Sequence, residues 1–351
     1  MSDFHFGLFS TTFLASRGYV RVPRLFVVMS LHAKWPTLAV VVVGSYNTDL
    51  VVWCETIPTR GESLMGGEFD MFSGGRGANC AVAAARAGCQ VKFVGAHGPD
   101  VFGKMAVERL ESEGLDISDF IELPASKTGT ALIFQELTAG AHAALIAISA
   151  NNQFPASLVT KVKPAIQRAD LIFTQFEIGS SALSELFRLC NREKKRLVVH
   201  AAPVGPSTHL PNGYYYLLVL DDFEVLSLAG QTDIFAAIRD LHRRGVRNLI
   251  VKHGNNSLTL SDGITCRVQS IPSVPFVQDA GAVECLTAWS GIALALTGEL
   301  SWAAYVGAQA MAFSLSRHGA QDSMPYRSEL SIDWPATDAG SSRPSEPQRL
   351  A

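Results

Sequence analysis

The sequence predicts an α/β protein: a doubly wound, mostly parallel sheet flanked by helices, with a small β-sheet lid. Three observations predict it. Several short runs are apolar without alternation, as in strands buried on both faces of a parallel sheet. These runs alternate with helical stretches of 10–15 residues, the pattern of repeated strand–helix units. Two further strand-like segments, at about 50–74 and 127–150, break that alternation and can together form a separate sheet.

The elements follow in order. "LAVVVVGSYNTDLVV" (38–52) reads as one long buried strand. "RGANCAVAAARAGC" (76–89) is Ala-rich, entered through glycines and closed by Gly88, which predicts a helix. "QVKFVGAHG" is the next strand and "DVFGKMAVERLESEG" the next helix. In "TGTALIFQELTAGAHAALIAIS" (128–149) two strand-like runs flank "TAG", giving a hairpin. Strands then recur at "ADLIFTQ", "RLVVHAA", "YYLLVLD" and "NLIVKHG". The domain spans 38–333. Residues 334–351, "ATDAGSSRPSEPQRLA" at their core, are polar and Pro/Ser-rich and read as a disordered tail. Residues 1–37 form a leader. It has aromatics, hydroxyls, three arginines between 1 and 29, and Asp3 as its one acid, so an organelle-targeting peptide and a disordered leader with Met29 as an alternative start both remain open.

Composition excludes several classes. Net charge is -3 over 351 residues, so no basic excess points to nucleic acid. No apolar run reaches about 18 residues, the span of a membrane helix. The six cysteines are scattered without metal-ligand spacing, which reads as reduced thiols in the cytoplasm.

Three stretches carry chemistry. "GSYNTD" (44–49) puts Asn47 and Asp49 at the end of the first strand, the edge where open α/β sheets bind ligands. A carboxylate accepts from hydroxyls and an amide both donates and accepts, so the pair suits a polyol; ordinary turn chemistry explains it equally. "SGGRGAN" (73–79) offers glycines for close backbone approach and Asn79 at a helix start. "GAVECLTAW" (281–289) opens a helix, where free N–H groups and the dipole attract phosphate. A carboxylate there, Glu284, can take a proton from an attacking hydroxyl. A plain buried helix is the alternative.

Taken together, with "GPDVFGKMAVERLESEGLD", "KTGTALIF" and "HGAQDSMPYRSEL" in the same order, these stretches resemble the ribokinase-like carbohydrate kinases, the PfkB family, over residues 40–333. The resemblance implies ATP-dependent phosphorylation of a sugar hydroxyl, with ribose to ribose 5-phosphate as the expected reaction, magnesium with ATP, potassium as an activator, and a homodimer joined through the β lid. By position, Asn47, Asp49, Gly75, Arg76, Asn79 and Glu177 would bind the sugar, with Arg76 where lysine is usual. Glu284 would be the base. His200, Asp221, Lys252, Gly254, Gly281, Ala282 and Val283 would face nucleotide and phosphate. Glu224 would organise magnesium through water, and Asp279, Gly319 and Ser323 would hold a monovalent cation.

The phosphate side departs from the family pattern Asp-Thr-x-Gly-Ala-Gly-Asp. Here Val283 replaces the second glycine and Glu284 the aspartate. Asn-x-x-Glu reads "DDFE", Asn-Pro-Ala-Pro reads "HAAP", and Thr-x-Gly reads "KHG". Glutamate and aspartate differ in reference pKa by only about 0.4, but a 1 Å misplacement costs about 100-fold in rate. Val283 forbids a positive φ where the loop needs an aimed N–H, and loss of one such donor costs on the order of 100- to 1000-fold. Three readings therefore compete: a pentose kinase with impaired turnover, a sugar-binding protein on a degenerate kinase scaffold, and a family kinase for a nucleoside or another sugar.

Overall fold

The computed structural model describes residues 37–137, 142–205 and 208–332. The leader (Thr37 apart), the tail and the hairpin tip "TAG" lie outside these residues.

The first strand, β1 (Ala39–Val43), is short. The chain then leaves the main sheet, and β2 (Asn47–Cys54) pairs elsewhere with β3 (Glu68–Gly74). The run 38–52 is thus two strands in two sheets, not one. Gly44 marks the break, since a Cβ there would stand 2.6 Å from the Gln175 side chain and 2.7 Å from Gly77 Cα. α1 (Arg76–Arg86), β4 (Gln90–His97), α2 (Val101–Ser112) and β5 (Asp116–Glu122) follow. β6 (Gly129–Glu136) and β7 (His142–Ala147) form the expected hairpin. The alternation resumes with α3 (Ala156–Lys161), α4 (Lys163–Arg168), β8 (Leu171–Gln175), α5 (Ser180–Arg192), β9 (Leu197–His200), β10 (Leu217–Asp221), α6 (Asp222–Ala229), α7 (Ile234–Arg243) and β11 (Leu249–His253). β12 (Ser257–Ser261) and β13 (Cys266–Ser270) lead to two long apolar helices, α8 (Ala282–Thr297) and α9 (Leu300–Leu315).

The main sheet has nine strands in the order β13-β12-β11-β10-β9-β8-β1-β4-β5. Neighbours are parallel except β11–β12 and β12–β13. Alternate residues of each strand feed two cores. Val40 and Val42 face α1, α8 and α9 with Trp289 and Met311. Val41 and Val43 face α3 to α7 with Ile166, Leu186 and Leu241. Burial on both faces is why the strands carry unbroken aliphatic runs. Strand order reverses between β1 and β8, and the C-terminal ends of β1, β8, β9 and β10 meet there. That is the crevice where open α/β sheets bind ligands.

The second sheet has four strands, β3-β2-β6-β7, with β2 and β6 parallel and the outer pairs antiparallel. Among the described residues no helix is long and apolar enough to cross a membrane. All six cysteines are free thiols.

Candidate active site

The turn after β1 delivers Asn47 and Asp49 to the crevice. Asn47 is buried and held by a residue the sequence reading passed over. Asn151 Nδ2 donates to Asn47 Oδ1 (2.9 Å) and to the Tyr46 carbonyl (2.9 Å), while its Oδ1 accepts from Tyr46 N–H (3.1 Å). Nothing in the local pattern "SANNQ" marks it, because its partners lie 104 and 105 residues away. Gly75 adopts φ 87°, and a Cβ there would stand 2.5 Å from Asn47 N. Only glycine fits that positive φ and that approach. Asn79 opens α1 with its side-chain oxygen buried and unpartnered by protein, an acceptor left for a ligand's hydroxyl.

Glu177, just past the end of β8, is fixed from two sides. Ser45 Oγ donates to its Oε2 at 2.6 Å, and the Arg76 main-chain N–H does so at 3.2 Å. Gln175 Nε2 in turn donates to Ser45 Oγ at 3.0 Å. Ser45 lies within "GSYNTD" but the sequence gives it no separate signal. Arg76 then spans the crevice: Nε contacts Glu177 Oε1 (3.0 Å) and Nη1 contacts Glu284 Oε1 (3.2 Å). His200 ends β9 and places Nδ1 3.0 Å from the same Glu284 oxygen. That approach is close but not a well-directed hydrogen bond, since Nδ1 has no partner in good hydrogen-bond geometry. Its Nε2 lies 3.9 Å from Glu224 Oε2.

These contacts set the charges. Burial alone pushes the Glu284 carboxyl up, but His200, Arg76 and its own main-chain N–H more than offset this and hold its pKa down to about 2. Asp49 has no such partner. Burial, with the like charges of Glu177 and Glu284, raises its pKa to about 7. Through Arg76, Glu177 and the helix mouth at Glu284 share one crevice. Arg76 fills part of it, with 31% of its side chain still exposed. Two concavities elsewhere, about 120 Å³ beside Asp262 and Glu299 and about 250 Å³ beside Pro272 and Ile332, border none of these residues.

At the mouth of α8 the positive φ belongs to Gly281 (φ 76°). A Cβ there would stand 2.8 Å from the Ala320 carbonyl. Val283 lies inside the helix, half-buried against the core, so the expected conflict over a positive φ does not arise. Ala282 N–H donates to the Asp279 carbonyl at 3.0 Å, and Ala282 is buried.

The "DDFE" stretch is a capping box. Asp221 Oδ1 accepts from Glu224 N–H (2.7 Å) and Glu224 Oε2 accepts from Asp221 N–H (2.8 Å). Burial raises the pKa of Glu224. Lys252 stands in register with Asp221 on the neighbouring strand, and Gly254 makes the following turn at φ 50°. Between them His253 contacts Asp222 and Thr259. Asp279 is exposed, whereas Ser323 is buried, donating to the Ala320 carbonyl (3.0 Å) and sharing a 2.6 Å contact with Ser314. Gly319 turns at φ 85° and its carbonyl accepts from Ser323 N–H at 3.1 Å.

Comparison with known proteins bears on the fold as a whole. The profile described as "pfkB family carbohydrate kinase" matches residues 37–327. A ribokinase from Bacillus subtilis is 28% identical over 292 residues, 82% of this chain and 97% of its own. A ribokinase from Schizosaccharomyces pombe is 31% identical over 209 residues, 58% of this chain and 65% of its own. An Arabidopsis thaliana ribokinase solved with ribose and ATP superposes with a TM-score of 0.75 at 25% identity, covering 84% of this chain and 97% of that one.

Proposed function

The chain belongs to the pfkB family of carbohydrate kinases, and from that premise we propose that it transfers the γ-phosphoryl group of ATP to a hydroxyl of ribose or a similar pentose. One observation carries the reading: Arg76 joins Glu177 on the sugar side to Glu284 at the α8 mouth, so polyol-binding groups and a candidate base share one crevice. Asn47, Asp49, Asn79 and Glu177 hold the sugar. The substrate oxygen attacks the γ-phosphorus, the bond from that phosphorus to the bridging oxygen breaks, and Glu284 takes the hydroxyl proton. Gly281 and Val283 present main-chain N–H groups at the helix mouth, while the Ala282 N–H is already engaged by the Asp279 carbonyl. Lys252, Gly254 and His200 flank the nucleotide side.

The residues present fit magnesium carried with nucleotide. Asp221 and Glu224 put oxygen donors at one strand end, the ligand type that ion prefers. Among the described residues no three His, Cys, Asp or Glu side chains form a dedicated metal cage, as suits an ion that keeps its waters and the substrate's phosphates. When bound, it neutralises phosphate charge. For potassium, the contact of Gly281 with Ala320 brings the Asp279 and Gly319–Ser323 segments together. Main-chain carbonyls would be its ligands there, because the Ser323 hydroxyl is already engaged.

The experiment is an assay with ATP, magnesium and potassium against ribose, deoxyribose and nucleosides, with the product identified. Ribose 5-phosphate formed by the parent and lost in Glu284→Ala supports the reading. Ribose binding by calorimetry without any transfer would make the chain a sugar-binding protein, and transfer to a nucleoside alone would move it to another substrate class.

A further inference from the structure

We propose that Arg76 and His200 are positioning residues for Glu284, and that the three side chains work as one unit that lets a glutamate serve where the family pattern has an aspartate. This rests on the kinase reading above. Arg76, His200 and Glu284 are three of the positions at which this chain departs from the pattern, and in the folded protein the first two both contact the third. Both nitrogens fall on the same atom, Glu284 Oε1, at 3.2 and 3.0 Å. Neither takes Oε2, which leaves that oxygen for the substrate's proton.

The geometry explains why each residue is of its type. A glutamate carries its carboxylate about one C–C bond, ~1.5 Å, farther than an aspartate. Something must hold that longer arm, because a loose carboxylate loses the gain of orientation. Arg76 can do so because its fork points two ways, Nε to Glu177 and Nη1 to Glu284. A lysine has one nitrogen on a flexible stem and offers no second fixed direction. Glu177 is itself tied through Ser45 and Gln175 to β8, so the hold on Glu284 is anchored in the sheet. His200 reaches Oε1 from the end of β9, the opposite flank. An asparagine there is shorter than a histidine and would not carry a nitrogen as far toward Oε1.

The claim has a non-obvious consequence. Restoring the family's residue at any one of the three positions should harm the enzyme, whereas restoring all three should not. The test is steady-state kinetics with ribose and ATP–magnesium on Arg76→Lys, His200→Asn, Glu284→Asp and the triple variant, with thermal unfolding to establish that each folds. Each single change is expected to lower kcat about 10- to 100-fold with the sugar KM within about threefold, and the triple variant to return to within about tenfold of the parent. His200→Gln, which keeps a longer donor, should fall less than His200→Asn and serves if the latter does not fold. Single effects that simply multiply in the triple variant, or a Glu284→Asp that turns over faster than the parent, would overturn the unit while leaving the kinase reading intact. A parent that phosphorylates no sugar removes both.

Discussion

The Asp49 carboxylate occupies the space a side chain on Gly74 would need: a Cβ there would stand 2.5 Å from Asp49 Cγ. Gly74 has no positive φ, so alanine is allowed by its backbone and only the Asp49 side chain must move. Gly74→Ala should therefore leave thermal stability within roughly 1 kcal/mol and displace the sugar-side carboxylate. We expect the ribose KM to rise at least about tenfold while the ATP KM stays within about twofold. An unchanged ribose KM would mean that Asp49 does not touch the sugar.

The same carboxylate sets a pH dependence. Its pKa is raised to about 7 by burial and by Glu177 and Glu284. Sugar hydroxyls donate to the ionised form, which is lost as pH falls through about 7. Ribose affinity measured by calorimetry should hold above pH 8 and drop by about tenfold per pH unit below 7. Asp49→Asn should remove that slope. A parent whose affinity is flat from pH 5 to 8 refutes the assignment.

Glu284 titrates at the other extreme. Its pKa is held to about 2, below the ordinary 4.5, so its pairing stabilises the fold fully above pH 4.5 and is lost as pH falls toward 2. That shift corresponds to roughly 3 kcal/mol. Glu284→Gln should be less stable than the parent by about that amount at pH 7, with the gap closing as pH falls from 4.5 toward 2. Equal stability of the two proteins at pH 7 would show that the carboxylate is not clamped.

Much of this was legible in the sequence, for local reasons. Aliphatic runs such as 39–43 mark strands because both faces are buried, and "SGGRGAN" marks a close backbone approach because Gly75 must take φ 87°. The capping box of Asp221 and Glu224 escapes the sequence reading, because "DDFE" stands there as the counterpart of a metal-side motif. What was not legible is what distance along the chain conceals. The "GSY" turn separates β1 from β2, but a turn does not say that the chain then changes sheets. The contact of Arg76 with Glu284 joins residues 208 apart, and spacing says nothing of it. Hence three substitutions that look independent in sequence prove to meet at Glu284. Val283 misleads for a related reason: the motif shows where the turn is, but not that Gly281 alone carries its positive φ.

The lid sheet leads to a last prediction. Its register aligns Met71, Leu50, Leu132 and Leu145 across all four strands on one face. Asp49 and Phe72 alternate to the opposite face, toward the crevice. On the outer face Met71 is 39% exposed, Leu132 46% and Leu145 71%, with Phe69 beside them in the next row. A contiguous apolar sheet face is costly to leave in water and favours a partner. A second copy, contributing the same face about a two-fold axis, satisfies it without any new surface. Each leucine fully buried contributes about 1.5–3 kcal/mol. Leu132→Lys with Leu145→Glu removes two from each protomer, so the dimer Kd should rise by at least about 100-fold. Sedimentation at micromolar concentration should show a dimeric parent and a monomeric double variant. Thermal unfolding should show that the double variant still folds. A parent that sediments as a monomer, or a variant that stays dimeric, places the association elsewhere.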